Sequence, residues 1–353
     1  MDGSETAYRL KVMKYIFELN HPKHYYQFKY IMQQLQRDGH EVKVLARDKD
    51  VLLNVLREEE VVYEIFGLHK KNLRDKILGT PKLLVNYYKI VRSYHPDVVV
   101  SKASFYGCFI AKLVGAKSVI FPDSEVVKVT NKYVVPLCTK VITPGKFALD
   151  YGKKHQRIPG MFEDCYLAPN VFTPNKAIGE QLRIDNKPYA VLRFVGWFAN
   201  HDVNNNGLSL NEKKQLIAAI EPHMRVYISS EKALPEELKQ YQLPTPANAI
   251  HSVLTYADLY LGDSQTMAAE AALLGTPAIR TNSFVGPNDM TNFKVLENEY
   301  HLLCNVREFK DVLPLVTAMA ITSQKSEWAQ RKDEYFKRVG DTNALITAML
   351  EGI

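Results

Sequence analysis

The first residues that could do chemistry are two histidines. His21-Pro22-Lys23-His24 stands directly behind a short apolar run at 14–19. Read as a strand and the turn after it, this places both imidazoles at the carboxyl edge of a sheet. Imidazole is the side chain most easily tuned to move a proton near neutral pH. His21 is therefore expected as a general base, with His24 contacting a phosphate or an acceptor. The competing reading is that one of the pair caps the following helix and holds the turn. Asp123-Ser124-Glu125 follows a second apolar run, 117–121, at the same expected edge. Asp123 and Glu125 could take a proton or orient an acceptor hydroxyl. Capping the next helix is the alternative for at least one of them. The spacing is not Asp-x-Asp, so no metal is expected, and no cofactor.

A second constellation lies at 256–280, YADLYLGDSQTMAAEAALLGTPAIR. The opening apolar run reads as a buried strand. Gly262-Asp263-Ser264 turns the chain, and Ser264 is a good N-cap. Residues 265–274 are rich in helix formers. Gly275 stops the helix, Thr276-Pro277 forbids its continuation, and 278–280 begins another strand. The first turn, Gln265-Thr266-Met267, offers unpaired amides and the positive end of a dipole, a ready phosphate site. Thr266 and Glu270 share a helix face. A diphosphate near Thr266 would leave Glu270 one turn deeper, facing the hydroxyls of a ribose. The plain alternative is an ordinary strand–helix–strand unit with Glu270 solvated. The dinucleotide and P-loop glycine fingerprints are absent.

Other polar residues fall where the same sheet edge should lie. Arg193, Trp197, His201 and Asp202 occupy the first loop of the C-terminal half. Arg193 could pair with a diphosphate. Trp197 could pack on a sugar or base, or anchor the long loop. Ser229-Ser230-Glu231 lies on the neighbouring loop, and Ile250-His251 precedes the run at 256.

Three stretches carry a resemblance: HPKH at 21–24 with Tyr25, Tyr26, Phe28 and Lys29 behind it, LRFVGWFANHD at 192–202, and GDSQTMAAEAALLGTPAIR at 262–280. Together they resemble the GT-B-like family catalogued as domain of unknown function 354. That family is similar to GT-B glycosyltransferases, to nucleotide-sugar 2-epimerases and to the transferase that makes the lipid-linked peptidoglycan disaccharide. The likeness runs from Met13 to about Ala348. It implies two doubly wound Rossmann-like domains facing a cleft, with a C-terminal helical tail. It also implies a donor site of Arg193, Trp197, His201, Ser229, Ile250, His251, Asp263, Ser264, Gln265, Thr266, Met267 and Glu270. The backbone near Ile250 and His251 would read the base edge. Gly160 and Glu163 resemble a Gly-x-x-Glu of the family.

The implied activity is inverting, metal-independent glycosyl transfer from a nucleoside-diphosphate sugar, most readily a UDP-sugar, to a glycan or lipid-linked acceptor. The runners-up are a nucleotide-sugar 2-epimerase and a binding protein with a vestigial site. The chain departs from the families it resembles twice. Val126-Val127 stands where the family has a histidine soon after the acidic pair. FVGWFANHD lacks the His-Arg-Arg-Glu-Asn of the epimerases, which weighs against epimerisation.

The elements that must position these residues follow from the pattern. Apolar runs at 14–19, 41–46, 61–66, 97–101, 117–121 and 140–143 alternate with helical stretches, which implies a parallel sheet with right-handed crossovers. The pattern restarts at 188. Helical signals at 126–138 and 327–351 and a short strand at 249–250 complete the reading. Pro159, Gly160, Pro169 and Pro174 mark a linker within 157–176. The expected division is a tail at 1–12, an acceptor-side domain at 13–168, a donor domain at 169–326, and helices at 327–353 packing back towards the first domain.

Composition limits the class. At 353 residues, 46% hydrophobic and 24% charged, the chain has enough core for two globular domains. Its four scattered cysteines fit a reducing cytoplasm rather than a disulfide framework. The net charge is +6, and residues 69–96 account for the whole excess. Lysines and arginines there alternate with aliphatic and aromatic residues, which suits an anionic membrane surface at the inner face of the plasma membrane. A solvated basic helix face is the alternative. No nucleic-acid module is present.

Overall fold

The computed structural model describes residues 11–48, 51–68, 73–125, 127, 130–194, 208–230 and 233–353. Two compact units divide the chain. One is Met1–Tyr166 with Asp341–Ile353, and the other is Leu167–Gly340.

In the first unit the order is β1 (Lys14–Leu19), α1 (Pro22–Arg37), β2 (Glu41–Asp48), α2 (Val51–Glu58), β3 (Tyr63–Leu68), α3 (Leu73–Tyr94), β4 (Val98–Ser101), α4 (Phe105–Val114), β5 (Lys117–Ile120), β6 (Lys140–Pro144) and β7 (His155–Ile158). The strands form one parallel sheet, β3-β2-β1-β4-β5-β6-β7. Strand order reverses between β1 and β4. At such a switch point the loops leaving the carboxyl ends diverge and open a crevice. The β1 and β4 chains are buried on both faces, as helices covering a parallel sheet require.

Helix α5 (Asp164–Leu167) closes the first unit's main segment, only Leu167 falling in the second unit. The second unit contains α6 (Lys176–Leu182), β8 (Tyr189–Arg193), α7 (Leu210–Ile220), β9 (Arg225–Ile228), α8 (Ile250–Tyr256), β10 (Leu259–Gly262), α9 (Gln265–Leu273), β11 (Ala278–Arg280), α10 (Thr291–Asn298), β12 (Cys304–Asn305), α11 (Phe309–Ile321) and α12 (Lys325–Val339). Its parallel sheet runs β12-β11-β10-β8-β9, so its order reverses between β8 and β10. Helix α13 (Thr342–Glu351) belongs to the first unit. There Tyr15 Oη donates to the Leu350 carbonyl at 3.3 Å, and Asn343 Nδ2 donates to Cys165 O at 3.0 Å.

Both doubly wound sheets expected from the alternation are present, and the local departures have physical causes. The continuous helix expected over 327–351 breaks at Gly340, whose φ of 72° few other residues adopt. Asp341 then caps α13 through the Ala344 amide. The strand expected at 249–250 is a helical turn running into α8. The helix expected at 126–138 is, among its described residues, one wide turn at Thr130–Val134. Residues 157–176 hold the end of β7 and all of α5 rather than an irregular connection.

Candidate functional site

In the second unit the sheet edge is built by a close approach. Gly262 ends β10 in register with Arg193 at the end of β8. A Cβ on Gly262 would lie 2.3 Å from the Arg193 carbonyl oxygen, so only glycine fits. The Asp263 amide donates to that same carbonyl at 3.1 Å. The turn is thereby clamped to β8 before α9 begins. Ser264 caps the helix, its Oγ accepting from Met267 N at 3.4 Å. The first intrahelical bond runs from Ala268 N to Ser264 O, so the amides of Gln265 and Thr266 precede the ladder and face outward along the axis. With the dipole, they suit an anion.

Glu270 is buried, which rules out the solvated alternative. Its Oε1 lies 3.4 Å from Nε2 of His251 on α8. The His251 ring stands edge-on to Phe172 at 5.9 Å. Ile250 starts the same helix. Arg193 Nη1 donates to Ser229 Oγ at 3.3 Å across the β8–β9 edge. Arg193, Ser229, His251, Asp263, Ser264, Gln265, Thr266, Met267 and Glu270 therefore gather at the ends of β8, β9 and β10 and on the helices beside them. Trp197, His201, Asp202 and Glu231 lie outside the described residues. Sequence reasoning passed over Lys213. It is a buried cation on α7 with its ammonium 5.2 Å over the Phe194 ring. Burial lowers its pKa, while the charge of Asp263 opposes that shift.

The first unit presents a denser polar group at its switch point. His21 is the N-cap of α1, and its Nδ1 accepts from Lys23 N at 3.2 Å. His24 Nδ1 accepts from Asn20 N, also at 3.2 Å. In a neutral ring with Nδ1 accepting, the proton sits on Nε2. Burial, reinforced by Lys102 and His21, pushes the His24 pKa down to about 3, so that ring is neutral at physiological pH. The capping role weighed for this pair is thus filled by His21.

Asp123 follows β5 as expected, but it is not a free carboxylate. Its Oδ2 lies 3.3 Å from Lys102 Nζ and 4.0 Å from Lys23 Nζ. Its side chain is 48% exposed, and the desolvation of the rest would raise its pKa. The two ammonium groups prevail and hold it down to about 2. Lys23 also pairs with Glu163 Oε1 at 2.8 Å. Lys102 Nζ donates to Gln27 Oε1 at 2.8 Å and sits 4.2 Å over the Phe162 ring. The Nε2 of buried Gln27 has no hydrogen-bond partner. Glu125 turns elsewhere, its Oε1 accepting the Ala148 amide at 2.6 Å, so the expected acidic pair diverges.

Behind this group Glu18 is buried on β1, where it accepts from Asn20 Nδ2 at 2.8 Å and Tyr87 Oη at 3.0 Å. Burial raises its pKa. This buttress fixes the turn that carries the histidines. Lys102 and Gln27 were not legible as site residues, although Lys102 directly follows the apolar run of β4. No group of three or more His, Cys, Asp or Glu among the described residues is arranged to hold a metal ion.

Several solved structures share this architecture. The UDP-GlcNAc 2-epimerase from Methanocaldococcus jannaschii is 14% identical, with 89% of this chain and 94% of that one covered and a TM-score of 0.64. The UDP-GlcNAc 2-epimerase from Neisseria meningitidis bound to UDP-GlcNAc is 12% identical over 97% and 100%, at 0.66. MurG from Acinetobacter baumannii is 13% identical over 96% and 100%, at 0.61. No curated protein matches the chain significantly. At these identities the likeness establishes the fold, which is GT-B. Residues 13–290 match the family described as protein of unknown function (DUF354), and the chain belongs to that family.

Proposed function

We propose that the protein is an inverting, metal-independent glycosyltransferase. It would move a sugar from a nucleoside-diphosphate sugar to an envelope polysaccharide or lipid-linked acceptor. The observation that carries this reading is the Ser264-capped end of α9 with buried Glu270 facing His251. A diphosphate on the Gln265 and Thr266 amides, neutralised by Arg193, puts a ribose within reach of Glu270. UDP is the expected nucleotide, because two of the similar structures are named for UDP-GlcNAc.

In the reaction the acceptor hydroxyl gives its proton to a base, and its oxygen forms the new bond to the anomeric carbon. The old bond to the diphosphate breaks, and the nucleoside diphosphate leaves with the electron pair. The helix end and Arg193 stabilise that charge. Asp123, held near pKa 2 by two lysines, is a poor base, and His24 is desolvated. His21 is exposed, and its cap bond is long. Acting as base through Nε2 requires the other tautomer, with the Lys23 amide given up. His21 is therefore the proposed base, and His24 Nε2–H a donor to the acceptor.

None of the described helices is long and apolar enough to cross a membrane. A lipid-linked acceptor would be met at the surface, with the basic segment 69–96 resting on the inner face of the plasma membrane.

The second reading is a nucleotide-sugar 2-epimerase. It is favoured by superpositions on epimerases at TM-scores of 0.64 and 0.66, against 0.61 for MurG. Incubation of the pure protein with a panel of nucleotide sugars separates the two. Slow release of free sugar and nucleoside diphosphate supports a transferase, and an isomeric nucleotide sugar supports an epimerase.

A further inference from the structure

Helix α4 turns three large apolar side chains to solvent. Phe105, Phe109 and Leu113 are 43%, 40% and 61% exposed. They stand four residues apart, which aligns them in one stripe roughly 12 Å long. The two phenylalanine rings lie parallel, 5.8 Å apart with 6° between planes. The opposite face, with Gly107, Cys108, Ile110 and Ala111, is the buried one. The stripe is therefore additional to the face α4 needs for its core.

The surroundings are one-sided in charge. Helix α3 packs on α4 through a shared core and exposes Lys82, Val85 and Lys89. Lys112 is exposed on α4, and Lys132 and Tyr133 are exposed on the turn that packs beside it. Across residues 80–121 the only acid is Asp97. Its carboxylate accepts the Lys14 amide at 2.8 Å and lies 3.8 Å from Lys11 Nζ. An apolar stripe flanked on both sides by lysines complements a surface that is apolar below and anionic above.

We propose that α4, flanked by α3, is a membrane-docking face. The Phe105–Phe109–Leu113 stripe enters the headgroup boundary of an anionic leaflet, while Lys82, Lys89, Lys112 and Lys132 meet lipid phosphates. This rests on the lipid-linked-acceptor reading and deepens it. Charge on residues 69–96 alone would give adsorption that salt abolishes, whereas a buried stripe adds a part that salt leaves in place.

The test is co-sedimentation of the full chain with vesicles of phosphatidylcholine alone or mixed with phosphatidylglycerol, at low salt and at 1 M. The wild type is compared with Phe105→Ser/Phe109→Ser/Leu113→Ser, and UDP binding is measured on both. The wild type is expected to bind the mixed vesicles and to keep part of that binding at 1 M salt. The triple variant should bind about tenfold more weakly or worse, with unchanged affinity for UDP. Equal binding by wild type and variant would overturn the docking face and leave salt-labile adsorption standing. No vesicle binding by the wild type would overturn both. A concentration-dependent dimer dissolved by the triple variant would assign the stripe to a second copy and overturn the proposal. Vesicle binding without UDP binding would leave the docking face intact and remove the donor site.

Discussion

Nε2 of His251 lies 3.4 Å from Oε1 of Glu270, so the carboxylate that shares a helix face with Thr266 is oriented by a ring on the neighbouring helix. Glu270 is therefore expected to hold a ligand in place rather than to decorate the surface. Glu270→Ala should weaken nucleoside-diphosphate binding by roughly 1–3 kcal/mol, the scale of a hydrogen bond to a charged group. Titration calorimetry with UDP measures it, and an unchanged dissociation constant removes Glu270 from the donor site.

His21 combines a cap with a proposed base, and one substitution separates the two. Asparagine is among the best N-caps but cannot take the proton. His21→Asn should leave the melting temperature near that of the wild type while turnover falls about 10²–10⁴-fold. Normal turnover in this variant would move the base elsewhere in the first unit.

His24 makes stability depend on pH. Its pKa is about 3 in the fold against 6.5 ordinarily. The unfolded chain therefore binds the extra proton first as pH falls. Its favourable contribution is full above pH 6.5 and is lost progressively between 6.5 and 3. At pH 5 the loss is about 2 kcal/mol, from a pKa unit worth ~1.4 kcal/mol. Asp123 stays ionised there in both states, because its window lies between its ordinary 3.8 and about 2. Urea unfolding at pH 7 and pH 5 should show this drop in the wild type and a correspondingly smaller one in His24→Asn. Identical pH dependence in the two proteins would contradict the buried neutral ring.

Gly262 tests the clamp between β10 and β8. With its added Cβ 2.3 Å from the Arg193 carbonyl oxygen, Gly262→Ala must displace backbone, at a cost of about 1–3 kcal/mol. The displaced turn carries Asp263 and Ser264, so UDP affinity should fall with stability. A variant as stable and as tight-binding as wild type would show that the close approach is not required.

The alternation of apolar runs and helix formers was enough to read six strands of the first sheet and the main strands of the second, because parallel strands buried on two faces leave uninterrupted hydrophobic stretches. The edge strand β7, His155–Ile158, went unread because HQRI is polar and only its last residue is buried. The run at 14–19 coincides with β1, and Ser264 and Gly275 bracket α9 much as their capping chemistry dictates. What could not be read was pairing. Lys102 meets Gln27 across 75 residues of chain and Lys23 meets Glu163 across 140. Neither contact leaves a spacing in the sequence. The same holds for Asp123, legible as a carboxylate at a sheet edge but not as one neutralised by two ammonium groups. Residues 249–250 look strand-like only because two residues carry no period, and their backbone is helical.

The central claim, sugar transfer from a nucleoside-diphosphate donor bound at α9, is tested most directly by product analysis. The pure protein is incubated with UDP-GlcNAc and other nucleotide sugars, and the mixture is resolved by anion-exchange chromatography and mass spectrometry. Slow appearance of UDP and free sugar in equal amounts, slowed by Glu270→Ala at sub-saturating donor, is the predicted result. Conversion to an isomeric nucleotide sugar with no UDP released, or no change with any donor, would contradict it.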